Sequence, residues 1–382
     1  MKIALFCHSL RSDWNHGNAH FLRGVVTELV QRGHAVRVFE PREGWSFVNQ
    51  AREDPHVLER LHAVYPALRS EPYDPAGLDL EAVLEDVDLV LVHEWNDHAL
   101  VARLGRHRAR HGGFRLLFHD THHRSVSEPE SIGRYDLSHY DGVLAFGAAL
   151  RERYLRAGWA ERVWVWHEAA DPRVFRPLPH DEATRRELVW IGNWGDDERT
   201  AELREFLFEP AAALKLRCRV HGVRYPDAAR AELSRLGIEY AGWIANFDVP
   251  AAFAAHRVTV HVPRRPYLDQ LPGIPTIRPF EALACGIPLV MALWEDSEGL
   301  FRPGIDYLQA QNGIAMRRHL RDVLGDPALA ASLAHHGRET ILARHTCAHR
   351  VDELLAIAEE LGCRDTHLPP PTQAAVHHRI KT

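Results

Sequence analysis

Short apolar runs alternate along the chain with longer segments in which apolar residues recur every three or four positions. Residues 2–7, 35–39 and 88–93 are such runs, and the segment between the first two places Phe21, Val25 and Leu29 on one face. A strand, a helix and a second strand in this order predict a parallel sheet covered by helices. Runs at 114–118, 143–146 and 163–166 continue the series, so residues 1–176 are expected to form one α/β domain.

A second series of the same kind follows residues 177–186, which are proline-rich and then charged, as linkers often are. Its apolar runs predict a second α/β domain over residues 187–346, followed by a helix over 347–363. Residues 45–77 are interrupted by prolines and charges and are interpreted as helical insertions. The polar tail, 364–382, is predicted to be disordered.

Composition narrows the class of protein. The chain has 382 residues, of which 46% are hydrophobic and 26% charged, as in soluble proteins of two ordinary domains. A net charge of −6 without a basic stripe argues against a nucleic-acid partner. Five scattered cysteines without C-x-x-C spacing indicate reduced thiols and a cytoplasmic protein. No apolar run is long enough to predict a transmembrane segment.

Residues 272–290 are predicted to form a proline-rich loop, a helix over about 277–284, a stop at Gly286 and a buried strand. Glu281 lies on this helix and faces the loop. An ionised carboxylate accepts two hydroxyl protons at once, so this residue suits a vicinal diol such as that of a ribose. The alternative is a glutamate on an ordinary solvated helix face.

The sequence FEALACGIPLV at 280–290 resembles the nucleotide-sugar-binding signature in the C-terminal domain of GT-B glycosyltransferases. The resemblance implies that Glu281 binds the ribose of the donor. Many group 1 members carry a second glutamate eight residues earlier, at the sugar. Gly273 occupies that position here, which leaves both the sugar contact and the retaining or inverting outcome open.

Two further stretches resemble CgeB-type (spore-maturation-protein-like) glycosyltransferases of the same group. The first holds Gly17, Asn18 and His20, followed by R-G at 23–24 and R-G-H at 32–34. The second is GNWGDDERT at 192–200, where the resemblance implies that Gly192, Asn193 and Arg199 belong to the donor diphosphate pocket. Arginine offers a planar fork for such a group.

Other donor contacts are predicted on the same basis. Arg264 follows a strand and leads towards Gly273, while Arg278 is either a phosphate ligand or a salt-bridge partner of Glu281. Trp243 is either a stacking partner for the base or an ordinary core or surface residue.

Polar clusters end two strands of the first domain, where ligands bind in open α/β sheets. His119, Asp120, His122 and His123 are residue types that bind metals, but loop residues satisfied by neighbours are the favoured interpretation. No metal or other cofactor is expected. Inverting transfer needs a base for the acceptor hydroxyl, and the candidates for base or acceptor contact are Asp120, His93 and Glu94.

The resemblances together imply an α/β protein of the GT-B class. Two Rossmann-like domains would face each other across a cleft, and the last helix would return to the first domain. The implied activity is hexosyltransferase-like and metal-independent, from a nucleotide-diphosphate-sugar donor to an unidentified acceptor, whether glycan, lipid, small molecule or protein. The alternatives are a nucleotide-sugar epimerase or hydrolase, or a non-catalytic nucleotide-sugar-binding module.

Overall fold

The computed structural model describes residues 1–363, so the predicted disordered tail lies outside the described residues. The first domain is built on a seven-stranded parallel sheet in the order β3-β2-β1-β4-β5-β6-β7. Its strands are β1 (Lys2–Phe6), β2 (Ala35–Pro41), β3 (Glu71–Tyr73), β4 (Leu89–His93), β5 (Arg115–Asp120), β6 (Gly142–Ala145) and β7 (Val163–Val165).

Strand β1 lies between β2 and β4, so the chain reverses its direction of travel across the sheet at this strand. Loops that follow strands at such a switch point diverge and leave a crevice. Both faces of the sheet are covered by α1 (Ala19–Gln31), α2 (Trp45–Glu53), α3 (Val57–Val64), α4 (Leu80–Leu84), α5 (His98–His111), α6 (Arg124–Ser127), α7 (Pro129–Gly133) and α8 (Ala148–Ala157).

The segment predicted as helical insertions also holds a strand that the pattern did not indicate. Strand β3 has three residues, one of them Pro72, and pairs with β2 at the edge of the sheet. Proline is tolerated in a sheet at an edge, where its missing N–H breaks no ladder.

The second domain contains a six-stranded parallel sheet in the order β10-β9-β8-β11-β12-β13. Its strands are β8 (Arg186–Ile191), β9 (Cys218–His221), β10 (Glu239–Gly242), β11 (His256–His261), β12 (Leu289–Ala292) and β13 (Leu308–Ala310). Its helices are α9 (Thr200–Leu203), α10 (Glu209–Ala213), α11 (Asp227–Arg235), α12 (Val249–Ala254), α13 (Arg265–Asp269), α14 (Ile277–Cys285), α15 (Gly313–Gly325) and α16 (Pro327–Arg344).

The last helix, α17 (Cys347–Glu360), returns to the first domain as predicted. Its Val351 and Leu354 lie in the same apolar core as Phe21 and Val25 of α1. The two Rossmann-like sheets and the returning helix confirm the predicted fold class. The domain limits at 176 and 187 stay predictions; the first sheet ends at Val165 and the second begins at Arg186. Within residues 1–363, no helix combines the length and the apolar character needed to cross a membrane.

Candidate functional site

A cavity of about 400 Å³ lies between the carboxyl ends of the two sheets. In the first domain, its walls come from the loops after β1, β4, β5 and β7. In the second domain, they come from the loops after β8, β9 and β11 and from the start of α14. Concave sites between α/β domains, at strand carboxyl ends, are where small ligands bind.

Arg199 lies on the second-domain wall of this cavity and is only 8% exposed. Its guanidinium donates to the backbone carbonyl of Val262 at 3.0 Å and to those of Asn193 and Trp194. Burial, together with the nearby Arg264, lowers the pKa of Arg199 to about 9. No carboxylate in residues 1–363 forms an ion pair with it, and a buried cation without a counter-ion favours an anionic ligand.

The turn after β8 fixes the position of Arg199. The Gly192 carbonyl accepts from Trp190 Nε1 at 3.1 Å, and the indole ring of Trp190 lies 5.1 Å from the Arg199 guanidinium carbon. The Asn193 side chain accepts from the Val223 N–H at 3.0 Å and donates to Asn15 of the other domain. The structure therefore brings Gly192, Asn193 and Arg199 together at the cavity.

Gly195 completes this turn and leads to the first stability prediction. Its φ of +83° suits glycine, and a Cβ there would lie 2.7 Å from Arg199 Nε. Gly195→Ala is therefore expected to cost about 1–3 kcal/mol of stability and to weaken anion binding by displacing Arg199. Gly33→Ala is the matched control, because its φ is +86° but nothing lies near its Cβ. Equal anion binding by the two variants, in a titration followed by calorimetry, would contradict the prediction.

Helix α14 begins at the cavity wall with an unusual residue. Thr276 precedes the helix with φ +59° and ψ 178°, and the side chains of Thr276, Ile277 and Arg278 all line the cavity. A β-branched residue at positive φ is strained, and such strain is commonly found at functional sites. The first N–H groups of a helix lack partners within it and carry its positive dipole, so this end of α14 suits an anion.

Arg264 and Arg278 extend the basic wall, although each already has a carboxylate partner. Arg264 donates to Glu198 Oε2 at 2.6 Å, and His123 Nε2 of the first domain lies 3.4 Å from the same oxygen. Burial raises the pKa of Glu198, but His123 and Arg264 lower it by a larger amount, so the pKa is about 2. Arg278 donates to Glu281, so the salt bridge that the sequence analysis left as one of two alternatives is present. Arg278 also lines the cavity, so its role as a phosphate ligand stays a prediction.

Glu281 is completely buried and is not among the residues that line the cavity. Its Oε1 accepts from His20 Nδ1 at 2.9 Å and from Asn246 Nδ2 at 3.0 Å, while Arg278 donates to Oε2. The Asp171 N–H donates to His20 Nε2 at 2.8 Å, which fixes the proton of the ring on Nδ1. Glu281 thus connects the two domains, and its role as ribose ligand stays a prediction.

The first-domain wall begins at the start of α1. Gly17 and Asn18 line the cavity, and the Asn18 amide donates to Thr121 Oγ1. His20, one turn further, lies behind the wall against Glu281 and stacks on Phe175 at 3.7 Å. Of the three residues that the resemblance indicated, Gly17 and Asn18 therefore line the cavity, whereas His20 belongs to the contact between the domains.

Two tryptophans stand at the first-domain side of the cavity. Trp45 is 45% exposed and Trp95 36%, and both indole rings lie near the imidazole of His8, at 5.5 and 6.5 Å. The Arg124 guanidinium lies 4.1 Å from the Trp95 ring. Exposed aromatic rings with fixed neighbours are suited to packing against a ligand.

The three candidate bases lie one layer behind the cavity. His93, Glu94 and Asp120 are fully buried and do not line it. Glu94 accepts from Arg124 at 2.7 Å, and burial with the nearby Asp120 raises its pKa to about 8. Burial raises the pKa of Asp120 too, and its carboxylate accepts from Tyr154 at 2.7 Å. Their catalytic role stays a prediction.

Gly273 and Trp243 also lie away from the cavity lining. Gly273 has φ +84°, and a Cβ there would lie 2.4 Å from Ser297 Oγ, so a glutamate does not fit this backbone. Trp243 packs against the apolar core shared with α1. Their donor-site roles are untested and stay predictions.

Sequence reasoning missed Glu168, His16, His261 and Thr276, all of which line the cavity. Glu168 comes shortly after β7 and His261 ends β11. The rule that ligands bind at strand carboxyl ends, applied to every strand, would have selected these two. Nothing in the sequence indicates the backbone conformation of Thr276.

Buried histidines make acid stability a testable property of this fold. Burial is the main cause that lowers the pKa of six of them to about 3 or 4: His8, His119, His221, His256, His261 and His345. Below pH 6.5 the unfolded chain takes up protons that the native state does not. Each such group then reduces the free energy of unfolding by about 1.4 kcal/mol per pH unit.

Four buried carboxyl groups with a raised pKa oppose this trend, because each loses a penalty as it becomes protonated: Asp13, Glu94, Asp120 and Glu168. Burial also lowers the pKa of His16, His93 and His122, so the histidines outnumber these carboxyl groups and the free energy of unfolding is expected to fall from pH 6.5 to 4. Chemical denaturation at a series of pH values measures this directly. A flat profile would show that these histidines are not buried in neutral form.

Metal-binding chemistry has no clear residue set here. Within residues 1–363, no group of three or more histidine, cysteine, aspartate or glutamate side chains is arranged to hold a metal ion. The imidazole rings of His122 and His123 lie against each other, with their centroids 4.1 Å apart. The Asp120 carboxylate accepts a hydrogen bond from the backbone N–H of His122 at 3.0 Å.

Much of the second domain and the last helix match a known protein family. Residues 199–356 match the family model described as "Glycosyl transferase-like". No protein of curated function matches the chain. The matched segment begins at Arg199 and contains the whole of α14, so it covers most of the basic wall.

Solved structures share the architecture over nearly the whole chain. Anabaena Alr3699/HepE in complex with UDP and glucose has a TM-score of 0.66 at 14% identity, with 94% of this chain and 99% of that one covered. Sucrose-phosphate synthase from Thermosynechococcus elongatus has a TM-score of 0.63 at 16% identity, with 94% of this chain and 99% of that one covered. A glycosyltransferase from Rickettsia africae has a TM-score of 0.65 at 13% identity, with 94% of this chain and 98% of that one covered. The chain has the GT-B fold. At these identities the likeness establishes the fold, and the GT-B cleft of this chain coincides with the cavity that Arg199 lines.

Proposed function

We propose that this GT-B protein transfers a sugar from a nucleotide-diphosphate-sugar donor to an acceptor hydroxyl. The observation that carries the proposal is Arg199, a buried guanidinium on the cavity wall whose hydrogen bonds within residues 1–363 all go to backbone carbonyls. A diphosphate supplies the missing negative charge and matches the fork of the guanidinium. The family match over residues 199–356 and the UDP and glucose bound in the HepE structure support the same chemistry.

The second-domain wall is suited to the leaving group of such a transfer. As the bond from the sugar to the diphosphate breaks, negative charge develops on the diphosphate. Arg199, Arg264, Arg278 and the start of α14 are fixed before reaction, and preorganised positive groups stabilise such charge without a metal. Glu281 is enclosed behind the cavity wall, so its binding of the ribose in this proposal requires Arg278 to move from the carboxylate and a ribose hydroxyl to take its place.

The acceptor enters from the first-domain side, past Trp45 and Trp95. Thr121 lines the cavity, and its Oγ1 lies 3.1 Å from His93 Nε2 and 3.4 Å from Glu94 Oε1. The acceptor proton can therefore pass through the Thr121 hydroxyl to a buried group. This route gives His93 and Glu94 access to the cavity that their own side chains lack.

The test is release of nucleoside diphosphate from UDP-, GDP-, dTDP- and ADP-sugars, with and without extracts that supply acceptors. Release that depends on acceptor supports transfer. Release of nucleotide and free sugar without acceptor indicates a hydrolase, and an isomerised sugar indicates an epimerase. Selective binding with no turnover under any condition would indicate a non-catalytic nucleotide-sugar-binding module.

A further inference from the structure

Glu168 is a buried carboxyl group on the cavity wall without a hydrogen-bond partner. It follows β7 in the first domain, lines the cavity and is 2% exposed. Neither Oε1 nor Oε2 has a hydrogen-bond partner among residues 1–363. Buried polar groups are nearly always paired, so an unpaired one requires an explanation.

The backbone around Glu168 is held on both sides. His167 Nδ1 lies 2.9 Å from the Phe146 carbonyl, and His167 Nε2 lies 3.0 Å from Glu298 Oε2 of the second domain. Two residues later, the Ala170 N–H donates to the His345 carbonyl at 3.0 Å. Glu168 is therefore presented to the cavity by a fixed segment where the two domains meet.

The surroundings make this carboxyl group costly to the fold. Burial raises its pKa well above the usual range, the carboxylates of Glu281 and Glu94 raise it further, and only Arg278 lowers it. A neutral or apolar side chain would avoid this penalty. Stability gives no reason for a glutamate here, whereas a bound ligand does.

Charge restricts what that ligand can be. A carboxyl group does not attract a diphosphate, which the arginines of the opposite wall bind in the proposed function. Glu168 and Arg278 line the same cavity, so the carboxyl faces the space next to the expected phosphate position. The group joined directly to the diphosphate is the sugar, and its hydroxyls both donate to and accept from a carboxyl group.

We propose that Glu168 binds hydroxyl groups of the sugar carried by the donor and thereby selects that sugar. This proposal rests on the proposed function and adds a residue for the sugar to it. The carboxyl accepts from one hydroxyl when ionised. When protonated, it also donates to a second, as a group shielded from water can do.

The experiment compares two probes for each nucleotide: UDP with UDP-glucose, and GDP with GDP-glucose. Wild type, Glu168→Gln and Glu168→Leu are titrated by calorimetry, and their thermal unfolding is measured. Glu168→Leu is expected to leave the affinity for the nucleoside diphosphate unchanged and to weaken binding of the accepted nucleotide sugar about tenfold or more. Its melting temperature should equal or exceed that of wild type. Glu168→Gln, which keeps hydrogen-bonding capacity, should lose less.

Glu130 is the matched control, since it is an exposed glutamate of the same domain and does not line the cavity. Glu130→Leu should change neither affinity. Equal losses for nucleoside diphosphate and nucleotide sugar in Glu168→Leu, or a lower melting temperature, would assign Glu168 a structural role. If Glu168→Leu binds both the nucleoside diphosphate and the nucleotide sugar as tightly as wild type does, the proposal for Glu168 is overturned while the proposed function stays intact. If wild type binds none of the four probes, the comparison is repeated with the dTDP and ADP pairs, and binding of none of these overturns both proposals.

Discussion

Arg199→Met is expected to weaken the binding of nucleoside diphosphates about 100-fold. The guanidinium has no carboxylate partner within residues 1–363 and lines the cavity. A hydrogen bond to a charged group contributes about 1.5–3 kcal/mol, and about 2.8 kcal/mol corresponds to 100-fold, so the loss of one such bond to a diphosphate accounts for roughly this factor. Arg199→Lys keeps a charge but loses the planar fork, so an intermediate loss is expected. Calorimetric titration with UDP and GDP measures both.

The control for this prediction is Arg265→Met. Arg265 adjoins the cavity residue Arg264, but it is 46% exposed at its side chain and pairs with Glu202 at 2.7 Å. Its removal should leave diphosphate affinity within about twofold of wild type, because an exposed pair contributes little. Loss of binding in Arg265→Met as large as in Arg199→Met would show a general charge effect and would remove the special role of Arg199.

Glu281→Ala is expected to reduce the free energy of unfolding by about 3–5 kcal/mol, the usual result of removing one member of a buried ion pair. His20, Asn246 and Arg278 all donate to this carboxylate, and His20 comes from the other domain. The variant should therefore also loosen the domain contact. Denaturant unfolding followed by fluorescence, with separate probes for the two domains, measures the change.

Glu339→Ala is the control for Glu281. Glu339 is an exposed residue of α16, and its carboxylate lies 3.2 Å from His335 one turn earlier. Its loss should cost less than about 1 kcal/mol. Glu281→Gln addresses the ribose hypothesis, because it keeps the size of the side chain while reducing its capacity to accept. Full stability in Glu281→Ala would contradict the buried network described above.

The architecture follows from the sequence because strands of a parallel sheet are buried on both faces. They appear as continuous apolar runs, as in Leu89–His93, and their helices carry one apolar face. Helix α14 was predicted almost to the residue, since Gly286 with φ +65° ends it. Strand β3 escaped detection because three residues including a proline carry no periodic signal.

The site was only partly predictable, for a geometric reason. The sequence shows which residues follow a strand, and therefore which edge of the sheet they occupy. It does not show which side chains point outward: Thr121 lines the cavity, while the adjacent Asp120 points to Tyr154 beneath. Glu281 was expected in the cavity and is enclosed, whereas Glu168, which the sequence did not single out, lines it, because contacts between the two domains decide which carboxyl group is enclosed.

The proposed function requires the cavity to bind a nucleotide-diphosphate sugar. This binding is tested most directly by thermal unfolding of the wild-type protein with UDP-, GDP-, dTDP- and ADP-sugars, repeated with Arg199→Met. A ligand that binds the native state raises the melting temperature, and the increase grows with the ratio of ligand concentration to Kd. We expect the sugars of one nucleotide to raise the melting temperature of the wild-type protein selectively, and we expect this increase to be lost in Arg199→Met. No increase with any of these donors, or an equal increase in the variant, would contradict it.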